Sequence, residues 1–538
     1  METDTKMHKV LRWIVALLII SLALLGLFGC TRSDSTPPNT LRLALEQEPS
    51  SLDPAKSTTL PESIVELAIF DGLTRLNDKD LPEPAVAQSW DISQDGLTYV
   101  FHLRPDAKWS DGKPVRAQDF EYAWKRVLNP KVAAGNAYML YVIKNGEAYN
   151  TDKATADEVG VKALDDHTLQ VVLESPAPYF LGLTAFHAYY PVREDIVEKA
   201  PDTWATKAET LIGNGPFVLT KWIHSGELNF VKNEKYWDAG AVNLEAMYWP
   251  ISESQSTRLT LAEGGAVDMM VEPPVLDQKR LTEQGNFKVA PSLGTYYYVF
   301  NVTAPPFDDP RVRKAFSLVI DRKVIVDTIV HGGKTPAYAF VPPGLIDEQS
   351  KADFRATGGD LVAYNVAEAQ ELLKEAGYGP DKPLPKVTIL YNTNELHKAI
   401  AEAIQAIWKE TLHADVELQN QETKVFMANR EAGHYQVARA SWVGDYVDPQ
   451  TFLDVFFDET NDAQYHSARY NEVMTAVHNT TNPQERLALM HEAEQILFDD
   501  SVVIPIYFTT TPYVVNDAIG GYFWSSLGIV DFKSAYRK

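Results

Sequence analysis

The chain has 538 residues, 45% of them apolar, a length and composition that support about three domains with real cores. Its formal charge is −24, from 49 basic and 73 acidic residues with no basic stripe, which argues against nucleic acid as a partner. Cysteine occurs once, at Cys30, so no disulfide can form within the chain.

Taken in chain order, the first feature is a leader. Lys6, Lys9 and Arg12 precede an apolar run from Trp13 to Phe28, broken only by Ser21 and followed by Gly29 and Cys30. A basic start and a short apolar run ending in small residues read as a cleavable secretory signal, since a spanning helix needs about 20 apolar residues. Leu27-Phe28-Gly29-Cys30 resembles a bacterial lipobox, whose cysteine is lipidated and becomes the first residue after cleavage; Phe28 departs from the small residue usual there. An uncleaved anchor with an incidental cysteine is the other reading. Residues 1–29 would be the signal peptide and 30–40 a polar tether containing Pro37 and Pro38, leaving a mature charge of −25 once three basic and two acidic residues are removed. Met7 is an alternative start, because Glu2 and Asp4 are out of place in a basic leader.

Mixed α and β signals follow. Leu41 to Leu45 alternates as a strand, and Glu48-Pro49-Ser50-Ser51-Leu52-Asp53-Pro54 ends it. Tyr99, Phe101 and Leu103 mark a half-buried strand, followed by the Asp111-Gly112 turn and a helix from Ala117 carrying Phe120, Tyr122 and Trp124. Asp309-Pro310 starts a helix with Val312, Ala315, Phe316 and Val319 on one face. Val366 to Ala376 is a helix ended by Gly377, and Ile400 to Trp408 and Gln484 to Phe498 are amphipathic helices. Strands are expected at Lys386 to Tyr391, Ala414 to Leu418 and Val502 to Phe508, an alternation that implies α/β lobes.

Motifs for chemistry are missing. The twelve histidines are scattered, with no two in one helical turn, so zinc-type pairs are absent. His491-Glu492 runs on to Gln495 where a metalloprotease has its second histidine. Gly332-Gly333-Lys334-Thr335 has the tail of a phosphate loop, but Thr328 stands where its leading glycine belongs. No G-x-S-x-G elbow occurs, and Asp308-Asp309 reads as a helix cap. The expectation is a protein that is not an enzyme and carries no metal or cofactor.

From Glu48 to Phe452 the spelling resembles the extracytoplasmic solute-binding proteins of family 5, the oligopeptide-binding lipoproteins of peptide ABC importers. The resemblance is carried by Glu48 to Pro54, Ala87-Gln88-Ser89-Trp90, Thr98 to Arg104, Lys108 to Gly112, Gly213-Asn214-Gly215-Pro216-Phe217, Tyr236-Trp237, Pro306-Phe307 with Arg311-Val312-Arg313, and Ala438 to Phe452. It implies an α/β, periplasmic-binding-protein-like clamshell of two lobes joined by a hinge, with an additional third domain. Carried onto this chain, the first lobe is 41–60 plus 194–293 plus 511–538, the extra domain 61–193 and the second lobe 294–510. It also implies an exported monomer, lipid-anchored on the outer face of the cytoplasmic membrane or in the periplasm, that delivers short peptides to a permease and its ATPase subunits.

The resemblance assigns a ligand site. Glu48, Pro49 and Ser50 on one side and Ser441, Trp442 and Val443 on the other are expected to bond the peptide main chain as added strands, although Pro49 has no N–H to give. Asp445 matches the acid that neutralises the peptide ammonium; its plainer reading is a helix cap or surface turn before Pro449. Arg439 matches a residue that meets the carboxylate of short peptides, or else serves as an internal salt-bridge partner. His397 matches one used for longer peptides, or is an ordinary polar loop residue, and Asn392 joins the set. Val330 stands where some relatives have lysine, and Thr509 where the nearest have tyrosine. Tyr138 and the run Tyr296-Tyr297-Tyr298 are candidate walls, Tyr297 foremost. The alternatives are a relative narrowed to a cell-wall or signalling peptide, haem or a nickel chelate, or an exported hydrolase or chaperone.

Overall fold

The computed structural model describes residues 37–346, 352–457 and 461–538. The lipobox, Cys30 and most of the tether lie outside the described residues. Among those described, no helix is long and apolar enough to cross a membrane.

The first strand, Thr40–Ala44, forms because Leu41, Leu43 and Ala44 have apolar neighbours to bury against. It pairs in parallel with Ala246–Pro250 on one side and Met269–Val271 on the other. Glu227–Lys232 and Phe217–Ile223 extend this half of the sheet antiparallel. Residues 87–172 carry a separate antiparallel sheet in the order Ala87–Ile92, Thr98–Leu103, Thr168–Val172, Val161–Asp165. Helix Ala117–Leu128 covers it, burying Phe120, Ala123, Trp124 and Val127. These side chains and those of the first half form one continuous apolar core, from Leu41 and Phe217 to Phe101, Trp124 and Leu169. The extra domain is thus welded to the first half. Arg75 adds an ionic tie, with Nη1 3.2 Å from Asp71 and Nε 2.8 Å from Asp531.

The second half is built on Val437–Val443, Val387–Asn392 and Val416–Gln421, with a core on each face. Helix Pro310–Leu318 starts where Asp309 caps the Arg311 N–H, and Val366–Glu375 gives way to Gly377 at φ +83°. Helix Glu395–Leu412 begins at Asn394, whose side chain accepts from the Leu396 and His397 N–H groups.

Two long strands join the halves. Phe287–Phe300 and Val503–Val515 run antiparallel to each other for most of their length. Their pairing is regular up to Pro291↔Thr510 and resumes at Thr295↔Phe508, so three residues stand opposite Thr509 alone. In that bulge the Leu293 N–H donates to Ser526 O at 2.7 Å, and its carbonyl accepts from Gly444 N at 2.7 Å. A side chain on Gly294 would run into Thr509 Oγ1, so the strands approach there only because residue 294 has none. Val503–Val515 extends well beyond the expected end at Phe508. Thr509, Thr510 and Thr511 cross between the halves, where no apolar face is needed.

Candidate functional site

Strand Val437–Val443 has one complete partner and one partial one. Phe287–Phe300 pairs with it from Val437 to Val443, whereas Val387–Asn392 pairs only at Val437 and Ala438 before turning away toward Val416–Gln421. From Arg439 to Val443 the second edge has no neighbouring strand among the described residues, which leaves main-chain groups free to bond an added strand. Ser441 is half-buried and Val443 is exposed; Trp442 is half-buried, and its indole N–H has no partner among the described residues.

A charge stands at each end of this edge. Asp445 follows Gly444, and its N–H donates to Thr451 Oγ1 at 3.1 Å. The Tyr138 hydroxyl of the extra domain stands near its carboxylate, and no cation lies within ion-pair distance among the described residues. Burial raises its pKa to about 6, against the nearby Tyr138 hydroxyl, which lowers it. A cavity of about 50 Å³ opens beside it, lined by Leu67, Phe186, Tyr190, Leu527 and Ile529. Arg75 also reaches that cavity, but its guanidinium is committed to Asp71 and Asp531. The loop carrying Asp445 is fixed by Arg486, whose Nη atoms bond both Asp448 oxygens at 2.8 Å. The Tyr446 ring stacks on Tyr179 of the extra domain at 4.1 Å.

At the other end, Arg439 has no carboxylate partner among the described residues. Its Nη1 is 3.5 Å from Asn392 Oδ1, its Nε is buried without an acceptor, and its guanidinium lies 5.0 Å from the Tyr296 ring. The internal salt bridge weighed for it is therefore not formed. His397 sits in the first turn of Glu395–Leu412 with Nδ1 3.3 Å from the Tyr296 hydroxyl. Burial, then the Arg439 charge, lowers its pKa to about 4, so the ring is neutral. The structure thus brings Arg439, His397, Asn392 and Tyr296 together, with Tyr507 stacked on Tyr296 at 4.7 Å.

The remaining candidates fall elsewhere. Tyr297 is not at the groove: strand alternation turns it to the opposite face, where it is 4% exposed and meets Phe340 edge-on at 5.0 Å. Tyr296, one residue earlier, takes the place expected for it. The Glu48 carboxylate is used locally, accepting from Trp222 Nε1 at 2.8 Å, His224 Nδ1 at 2.9 Å and Ser225 N at 2.8 Å. Pro49 is buried, and the Ser50 N–H donates to Glu62 Oε1 at 3.0 Å. Neither Pro49 nor Ser50 has a main-chain donor to spare, so they can offer a ligand only carbonyls. Arg486 and Tyr179, which hold the Asp445 loop, carried no signal in the sequence because their partners are distant in the chain. Among the described residues no group of three metal-ligating side chains occurs.

A family model described as bacterial extracellular solute-binding proteins, family 5 Middle, matches residues 82–464. The dipeptide-binding protein DppE of Bacillus subtilis (strain 168) is 38% identical over 496 residues, covering 91% of this chain and 90% of its own. The periplasmic murein peptide-binding protein MppA of Escherichia coli (strain K12) is 39% identical over 495 residues, 89% of each chain. The unliganded open form of MppA superposes with a TM-score of 0.79 at 36% identity, covering 93% of this chain and 97% of that one. OppA of Haemophilus influenzae in complex with RPPGFSPFR gives 0.74 at 33% identity, covering 93% and 98%.

Proposed function

The chain belongs to the bacterial extracellular solute-binding proteins of family 5, and we propose that it is the peptide-capturing receptor of an ABC importer. It encloses short oligopeptides between a lobe of 41–60, 194–293 and 511–538, extended by 61–193, and a lobe of 294–510. It then presents them to a membrane permease and its ATPases. A lipid on Cys30 holds the monomer at the membrane, and the receptor performs no chemistry on its cargo.

One observation carries this reading. Among the described residues, a buried carboxylate without a cation and a guanidinium without an anion stand at opposite ends of a strand edge that is itself unpaired. Uncompensated charges are costly inside a protein, and a zwitterionic extended chain supplies what all three lack. Its ammonium goes to Asp445 and its main chain to the 439–443 edge. The carboxylate of a short peptide goes to Arg439, beside Asn392 and the neutral His397. Tyr138 holds the Asp445 carboxylate toward the ammonium from the opposing lobe. Because the grip is on main chain and termini, the side chains are left free to vary.

Calorimetry with a tripeptide and its N-acetylated form tests the assignment. The free amine should bind at least tenfold tighter, a conservative share of the roughly 3–5 kcal/mol at stake in breaking a buried ion pair. Equal affinities would defeat it. Native mass spectrometry on a peptide library separates a broad receptor, which retains many masses, from one narrowed to a single ligand.

A further inference from the structure

Two hairpins far apart in the chain are strapped together behind the bulge at Leu293. One, in the extra domain, pairs Thr74–Leu76 with Pro82–Pro84; the other, near the C-terminus, pairs Phe523–Trp524 with Val530–Asp531. Along their strands Arg75 Nε and Nη2 lie 2.8 and 3.1 Å from the two Asp531 oxygens. At their tips both Asp80 carboxylate oxygens accept from the Ser526 N–H, at 3.2 and 2.9 Å. Asn77 closes the first tip: its carbonyl accepts from the Asp80 N–H at 2.9 Å, and its Oδ1 from the Lys79 and Leu81 N–H groups at 2.9 and 3.1 Å. Asp80 itself is left-handed, at φ +57°, a conformation aspartate takes more readily than most residues. The second tip turns at Gly528, φ +81°, whose N–H donates to Ser525 O at 3.0 Å.

From Ser526 the bonds run on toward Asp445. The Ser526 carbonyl accepts from the Leu293 N–H, and the Leu293 carbonyl accepts from the Gly444 N–H, both at 2.7 Å. Strand Val437–Val443 has its last partner at Gly294↔Val443. Past that register, Gly444 and Asp445 are placed by two main-chain donors: the Gly444 N–H to Leu293, and the Asp445 N–H to Thr451 Oγ1. Leu527, next to Ser526, packs against the apolar core of the second half and lines the cavity beside Asp445. Asp80 lines no part of that cavity. Its reach to the site is through Ser526 and Leu293 alone.

We propose that Asp80 is a positioning residue for capture of the peptide's amino end. Its carboxylate fixes Ser526, Ser526 fixes the bulge at Leu293, and the bulge sets where Gly444 and Asp445 stand. A carboxylate suits this post because a hydrogen bond to an ionised acceptor is stronger than one between neutral groups. No basic side chain pairs with Asp80 among the described residues, so Ser526 has its full charge. This rests on the assignment of Asp445 to the peptide ammonium.

The test is amide hydrogen exchange together with calorimetry on the full-length protein, with tri-alanine and N-acetyl-tri-alanine as ligands. In the wild type the Ser526, Leu293 and Gly444 amides should share one level of protection. Asp80→Gly removes the carboxylate without straining the positive φ. It should speed exchange at all three amides and leave Ala438, at the other end of the strand, unchanged. It should also reduce the free-amine preference about threefold or more, part of the ~tenfold that one hydrogen bond to a charged group supplies. Asp80→Asn keeps an acceptor and should restore most of both effects. Asp78→Asn, exposed in the same turn, should change neither. An amine preference that Asp80→Gly leaves intact overturns the positioning role. An equal loss for the acetylated peptide also overturns it, making Asp80 a support of the fold instead. Three unlike protection levels in the wild type overturn the relay even if no variant folds. Wild-type protein that binds both peptides equally, or neither, defeats the Asp445 assignment as well.

Discussion

Capture should be pH-dependent, because Asp445 must be ionised to hold an ammonium. In the empty site its pKa is about 6, raised by burial. A bound ammonium lowers it, so binding below pH 6 must first expel a proton. With that value roughly nine in ten sites are ionised at pH 7 and one in ten at pH 5, so tripeptide affinity should fall about tenfold between them. His187 and His397, both about 4, stay neutral throughout, and a peptide amine stays charged below its usual pKa of about 8. Calorimetry at pH 6 in buffers of different ionisation enthalpy should show about half a proton released per peptide. Asp445→Asn should lose both the pH dependence and at least tenfold in affinity. The empty protein carries the opposite sign. Below about pH 4 the carboxyl is protonated whether folded or unfolded; as pH rises toward 6 the unfolded chain ionises first, and stability falls by up to about 3 kcal/mol. Asp445→Asn should therefore melt higher than wild type at pH 7, and the gap should close toward pH 4. An affinity flat from pH 7.5 to 5, with no melting gap, would refute the reasoning.

Tyr138→Phe removes the hydroxyl that restrains the Asp445 pKa, so the midpoint of the binding–pH curve should move above 6. Arg439→Met should cost a free-acid tripeptide about tenfold or more and its amide little, read from paired titrations. Gly294→Ala, which drives a methyl into Thr509, should destabilise by about 1–3 kcal/mol in urea unfolding. Adding Thr509→Ala should restore most of it.

Much of the scaffold was legible where periodicity and caps coincide. Asp309-Pro310, Gly377 and the alternation at Tyr99, Phe101 and Leu103 each mark an element that the fold contains. The crossing strands were not legible as units. Thr509 to Thr511, half-buried throughout, lacks the alternation that identifies a strand, because residues passing between lobes have no buried face to specify. The site resisted for another reason. Asp445 and Arg439 are ordinary in isolation and become a pair only through the register of one strand. Which of Tyr296 and Tyr297 faces them depends on a parity set by distant partners.

The bulge at Leu293 and Gly294 sits where strand Val437–Val443 stops, so that only the two crossing strands run on toward the first half, and that governs the motion available to the jaws. Antiparallel strands bonded to each other resist stretching and sliding but twist with little resistance. The lobes are thus mounted on something close to a torsion bar rather than on slack cord. Their swing is confined to one path, and a captured ligand has little wandering to arrest.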